Sequence, residues 1–234
     1  MRDRMFPTLL GVILGISPSA RSRVRCTATR PCDAKSWPGV QAQLDRVPVF
    51  TVTRSDGQPL PYDVGGKQQI AVFYTDVEAG KKELSNVHVN FPDLGCDLTS
   101  VGLGIAYKAC SDGKALIVPG VADLCAAGAP EDVRPVGQEV PLFACMSMQR
   151  KEKGGSKVPL FLNHADCVDS LVHETDGLDI DAVFSLQSIV EELTELEDPS
   201  TGAFTFEPPA TSLQHAQSYI GQGVYIRPVE NTDD

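Results

Sequence analysis

A chain of 234 residues, 42% hydrophobic and 22% charged, is long and apolar enough to fold without disulfide staples or a structural metal. Six Arg against one acid, Asp3, give residues 1–32 a charge of +5, which leaves −16 on the rest of a chain whose formal net charge is −11. A body this acidic repels phosphate backbones and anionic lipid heads, so nucleic acid is disfavoured and basic polypeptides are the more natural partner.

The chain opens with an address. "MRDRMFPTLLGVILGISPSARSRVRCTATRPC" begins with two Arg and an apolar run, Phe6 to Ile16, broken by Pro7, Gly11 and Gly15. That run is about half of a bilayer span and fits the apolar core of a signal peptide. An Arg-, Ser- and Thr-rich tract without acids follows, the composition of a transit peptide. Residues 1–32 are therefore expected to be a targeting leader and residues 33–46 a linker. No other apolar run approaches the length of a membrane span, so the mature protein is expected to be soluble or peripheral.

The body reads as α/β. "VPVFTVT", Val47–Thr53, and "QIAVFYT", Gln69–Thr75, are apolar on both faces and rich in β-branched residues, as in buried strands. "DVEAGKKELSNV", Asp76–Val87, is helical by the spacing of Val77, Leu84 and Val87, although Gly80 weakens it. "VGLGIAYKA" and "KALIV" straddle the turn "CSDG" and predict a hairpin. "PGVADLCAAG" predicts a short helix from Pro119 to Gly128.

A second series follows. "VPLFACMSM", Val140–Met148, and "VPLFLN", Val158–Asn163, are strands around the basic turn "QRKEKGGSK". "NHADCVDSLVHE" predicts a helix capped by Asn163, with Asp166 as capping-box partner and Ala165, Val168, Leu171 and Val172 on one face. "LDIDAVFSL" alternates into a strand. "SLQSIVEELTELE" is a helix capped by Ser185, with Leu186, Ile189, Val190, Leu193 and Leu196 in a stripe. In the tail, Phe204 and Phe206 predict a strand, and Thr211 is expected to cap a helix carrying Leu213, Ala216 and Ile220. Residues 221–234 are expected to be loose.

The two series register. Pro48 and Pro141 lie 93 positions apart, Gly65-Gly66 and Gly154-Gly155 89, and Lys67 and Lys157 90. This predicts a fused duplication: one repeat over residues 47–139, a second over 140–220. Strands with two apolar faces need cover on both. The expected architecture is therefore one compact body, a mixed β-sheet with flanking helices related by a pseudo-two-fold axis, with a groove where the halves meet.

Chemistry is sparse. Gly102-x-Gly104 lacks the third glycine of a dinucleotide loop, and no phosphate-binding loop occurs. His164 and Cys167 sit on adjacent helical turns, where a nucleophile and its base could pair, but capping and packing explain their neighbourhood better. His88, His173 and His215 lack ligands at metal spacing. The seven Cys are irregularly spaced, and most read as small buried hydrophobes. No catalytic, cofactor or metal site is expected.

The stretches "VPVFTVT", "QIAVFYTDVEAGKKEL", "VPLFACMSMQRKEKGGSKVPLFLNHADCVDSL", "AVFSLQSIVEEL" and "FEPPATSLQHAQSYI" resemble the 22-kilodalton Tic family, from Val47 to about Ile220. The resemblance implies a pseudo-symmetric α/β fold with apolar pockets. It also implies a chaperone-like, non-enzymatic role in plastid protein import, in the intermembrane space between the outer and inner envelope translocons. Translocon subunits and unfolded preproteins would be the partners. The alternative is a structural subunit or assembly factor of another plastid membrane complex. The candidate polypeptide-binding residues are Leu142, Phe143, Leu160 and Leu162, each of which also reads as ordinary core. "VGLGIAYKACSDGK" and "AAGAPEDVRPVGQEV" depart from the family pattern.

Overall fold

In a computed structural model the described residues are 30–63, 69–152, 155–174 and 179–221. Most of the expected leader, the Gly65-Gly66-Lys67 turn and the tail beyond Gly221 lie outside them.

Two five-stranded sheets organise the chain. The first holds β1 (Pro48–Thr53), β2 (Tyr62–Asp63), β3 (Gln69–Tyr74), β4 (Asp97–Gly102) and β5 (Ala115–Val118). The second holds β6 (Pro141–Ala144), β7 (Arg150–Glu152), β8 (Gly155–Phe161), β9 (Ala182–Ser185) and β10 (Phe204–Glu207). Their pairings coincide. β1 is antiparallel to β3 and β4, as β6 is to β8 and β9. β2 is antiparallel to β3, as β7 is to β8. β5 is parallel to β3, as β10 is to β8. Phe50 faces Tyr74 in one register and Phe143 faces Phe161 in the other. The expectation of a single sheet is corrected to two sheets with one wiring.

The helices cover them. α2 (Val77–Asn90) lies on β1, β3 and β4; α5 (His164–Glu174) lies on β6 and β8. Asp76 caps α2 through the Glu78 N–H, and Asn163 caps α5 through the Asp166 N–H. Gly80 is the cost that the approach of α2 demands. A Cβ there would stand 3.0 Å from Leu98 Cδ1 and 3.4 Å from Phe50 Cβ.

Because strand side chains alternate, each sheet feeds two cores. Val49, Phe73, Leu142, Ala144, Leu160 and Phe206 join one core shared by both halves. Phe50, Val72, Tyr74 and Leu98 form a second under α2; Phe143, Phe161, Cys167 and Leu171 form a third under α5.

Two expectations fail here. The hairpin over residues 101–118 is instead the end of β4, α3 (Leu103–Ser111) and β5, which runs parallel to β3. Leu103, Ala106 and Cys110 recur at helical spacing and pack on the shared core, a signal obscured by the β-branched Val101 and Ile105. "CSDG" is the end of the helix, with Gly113 left-handed at φ 71°.

The linker is also not a linker. Residues Trp37–Leu44 form α1, whose Trp37, Val40 and Leu44 are buried in the shared core. α1 packs against α3 of the first half and α6 (Leu186–Glu195) of the second, and so fills the groove expected between them. The Asp45 carboxylate after α1 accepts the Ile105 N–H at 3.0 Å and caps α3. On the other side Ser36 donates to the Thr194 carbonyl at 2.6 Å, and Gln43 to the Pro199 carbonyl at 2.9 Å.

Two helices cross between halves. α4 (Val121–Ala126) follows β5 but packs on α5; α7 (Ala210–Gly221) follows β10 but packs on α2 and β1. Carboxylates tie the exchange. Asp123 of α4 accepts the His164 N–H at 2.9 Å, and Asp166 of α5 accepts the Ala210 N–H at 3.0 Å. Asp166 therefore serves α7 rather than closing a capping box on Asn163, and α7 starts one residue before Thr211.

Candidate functional site: the outer face of the second half

Leu142, Phe143 and Leu160 are 0% exposed and Leu162 is 2% exposed. Three belong to the shared core and Phe143 to the core under α5. Both "VPLF" strands are buried on both faces, and these four side chains are core in this structure.

The structure points to the flank of α5. Cys167 and Leu171 turn inward, while Ala165, Val168 and Val172, expected on the buried face, are exposed, Val172 to 72%. Asp166, Asp169 and Ser170 lie on the opposite flank and meet Phe161, Glu207 and Pro208 around an acidic cleft of about 300 Å³ on the β10 side. The strand order β10-β8-β6-β9 then turns the Val168–Val172 flank toward β9. There Val183, cross-strand partner of Phe143 and on the same sheet face, is 49% exposed. α5 packs on β6 and β8, and Val168 and Val172 on its outer flank and Val183 on the edge strand β9 are exposed.

Along the sequence, residues 158–226 contain twelve Asp and Glu and no Lys or Arg. Asp181 accepts the Met146 N–H at 2.8 Å at one end of β9, and Met146 is itself exposed. Sequence reasoning singled out Val168 and Val172 but turned them inward. A four-residue apolar stripe reads as the buried face unless the partner surface is known to end at β6.

Other candidates resolve into packing. Burial pushes the Cys167 thiol up to about 11, with Cys145 and then Asp181 adding to the shift, so it is no thiolate near neutral pH. The His164 ring packs edge-on against Phe143 at 5.1 Å. His88 Nε2 lies 2.9 Å from the Cys96 carbonyl oxygen. No group of His, Cys, Asp or Glu suited to hold a metal occurs among the described residues.

Gly102-x-Gly104 serves close approach. A Cβ on Gly102 would fall 2.9 Å from Asp45 Cα, and one on Gly104 2.8 Å from the Gln41 carbonyl oxygen. A second cleft, of about 450 Å³, is lined by Gln43, Arg46, Glu152, Lys157 and Ser200. There Glu152 answers Arg46 at 3.5 Å, Lys157 at 3.7 Å and the Thr205 hydroxyl at 2.8 Å. In the basic turn, Lys157 thus meets the turn's own Glu152, and Arg150 lies 3.8 Å from Glu207.

No protein-family profile and no curated protein sequence matches the chain. Solved structures do. Tic22 from Plasmodium falciparum superposes with a TM-score of 0.62 at 14% identity, over 80% of this chain and 99% of that one. Tic22 from Anabaena, a protein of protein transport, superposes with a TM-score of 0.60 at 18% identity, over 78% of this chain and 97% of that one. At these identities what is shared is the arrangement of the backbone, and the chain has the Tic22 fold.

Proposed function

We propose that the chain is a polypeptide-binding component of plastid protein import. In this reading it acts like a chaperone in the intermembrane space and links outer and inner envelope translocons, with translocon subunits and unfolded preproteins as partners. One observation carries the binding role: Val168 and Val172 of α5 and Val183 of β9 are exposed, in a stretch of sequence rich in acids and free of Lys and Arg. Exposed apolar surface of this kind is characteristic of association, and the charge selects basic partners. The shared fold with a protein-transport protein of Anabaena supports the process. The Arg-rich, acid-poor first 32 residues support the destination. No helix among the described residues is long and apolar enough to cross a membrane. The matching wiring of the two sheets supports an origin by duplication, with residues 47–139 and 140–220 as the repeats.

The test is suppression of aggregation. Purified protein at equimolar ratio should delay the light scattering of a chemically unfolded precursor carrying its basic leader. A precursor that aggregates at its own rate in the protein's presence removes the binding role. For the process, native capture from solubilised plastids should return translocon subunits together with uncleaved precursors. A single stoichiometric set of other proteins would assign the chain to a different complex.

A further inference from the structure

Two cysteines from distant parts of the chain lie at the same end of α3. Before α1 the chain makes a short turn, Pro31–Asp33, with Cys32 at its centre. The segment that carries this turn runs antiparallel to α3 and is pinned to it at both ends. Arg30 pairs with Asp112, just past the end of the helix, at 3.6 Å. Trp37 stacks on Tyr107, more than a turn earlier in the helix, at 5.8 Å. Cys32 falls between the two pins, and its thiol shares a hydrogen bond with the Ser111 side chain. Cys110 is the preceding residue, in the last turn of α3. Cys32 belongs to the core that both halves share, and Cys110 packs against the same core. Both are free thiols in this structure.

The two thiols differ in their surroundings. Burial raises both, Cys110 to about 12. At Cys32 the Ser111 hydrogen bond and then Lys108 oppose the rise, against Asp112 and Asp33. Cys32 therefore ionises more readily and is the thiol that enters exchange.

We propose that Cys32 and Cys110 are a redox pair, joined by exchange with glutathione disulfide into a bond that locks the segment before α1 onto α3. The Cys32 thiolate attacks one sulfur of glutathione disulfide. That S–S bond breaks, a mixed disulfide forms on Cys32 and the first glutathione leaves as its thiolate. Cys110 then gives up its proton and attacks the Cys32 sulfur, which expels the second glutathione. The chain loses two thiol protons and two electrons, and the glutathione disulfide takes up both to become two glutathione thiols. Excess reduced glutathione runs the same steps backwards. The new bond closes a long loop containing α1 and β1 to β4. A long loop is where a cross-link most restricts the unfolded chain. Because α1 packs on both halves, the bond makes the junction itself responsive to oxidation.

The experiment equilibrates the full chain in glutathione buffers from fully reduced to fully oxidised. Each sample is quenched in acid, alkylated in denaturant so that burial hides no thiol, digested and mapped by mass spectrometry. A peptide pair joining Cys32 to Cys110, lighter by two hydrogens than the free thiols, is expected as the first link to appear. The oxidised chain should unfold at a thermal midpoint higher by about 5–10 °C than the reduced chain. The rise should vanish in Cys32→Ser and in Cys110→Ser. Each variant is compared with its own reduced form, so any loss of core packing does not enter the shift. In Cys110→Ser, Cys32 should keep one glutathione, since no second thiol expels it.

Alkylation of both thiols at the most oxidising ratio would overturn the inference. So would a first link between Cys145 and Cys167, which share the core under α5, or between either member of the pair and Cys26. A Cys32–Cys110 link that leaves the midpoint unchanged would overturn the lock.

Discussion

At the scale of single residues, glycines and buried titratable groups carry the most information. Gly104 sits where α3 starts against the end of α1, and a methyl group there meets the Gln41 carbonyl oxygen at 2.8 Å, a backbone atom unable to move aside. Gly104→Ala is expected to destabilise the protein by about 1–3 kcal/mol, the usual cost of overpacking, read as a lower urea midpoint at constant slope. A stabilised variant would mean that α1 yields.

Burial raises Tyr62, Tyr74, Cys110 and Cys167 above their ordinary values, the thiols to about 12 and 11. Each keeps its proton in the folded state at a pH where the unfolded chain has released it. The stability they contribute is complete below the ordinary cysteine value of 9.0 and is lost as pH rises through the folded values. Stability measured by urea between pH 8 and 11 should therefore fall, with Cys167 becoming open to alkylation only as the chain unfolds. A flat profile would contradict the burial. None of this was legible in the spacing of the cysteines, because burial depends on which helix lands over which strand.

At the scale of elements, capping and exchange explain what propensity leaves open. α6 was readable at once. Ser185 accepts the Ser188 N–H at 3.1 Å, and Leu186, Ile189, Val190 and Leu193 are buried along one stripe while Glu191, Glu192 and Glu195 face water. α7 was readable as a helix but not in its seat, since its N-terminal acceptor, Asp166, lies 44 residues earlier in the chain. His215 on α7 has its proton affinity lowered by burial and then by Lys81, against the opposing pull of Glu78 and Asp97. It therefore favours the neutral ring in the docked state. The stability it lends is present above the ordinary histidine value of 6.5 and is lost as pH falls through the lower folded value. Amide protection factors in α7 should fall on acidification before those in α6 do. An equal fall in both helices would show that α7 does not detach on its own. α3 was misread for a related reason: a strand-rich composition, Val101 to Tyr107, had to bridge to a parallel strand, and only a helix closes that connection.

At the scale of the whole molecule, α1 joins the halves. It buries Trp37 and Leu44 in the core that both sheets share, and hydrogen bonds run from Ser36 and Gln43 to the second half and from Ile105 of the first half to Asp45. Trp37 is the one tryptophan of the chain and stacks on Tyr107 at 5.8 Å. Its fluorescence therefore reports the junction. Unfolding followed by Trp37 and by far-ultraviolet circular dichroism is expected to give one coincident transition, and Trp37→Ala to cost about 3–5 kcal/mol. Two separated transitions would show that each half folds on its own.

The sequence by itself determined the α/β class, most strands, the helices α2, α5 and α6, and the recurrence of one strand–turn–strand–helix series. Those features are local: alternation, helical spacing and capping residues are written within a dozen positions. Only the tertiary structure decided that there are two sheets, that residues 37–44 close the groove between them, that Leu142, Phe143, Leu160 and Leu162 are core, and that Val168 and Val172 are surface. The physical reason is the same in each case. Whether an apolar side chain is buried depends on how far the element opposite it extends, and the short α4 and the long α7 differ in length at sites that no local pattern connects.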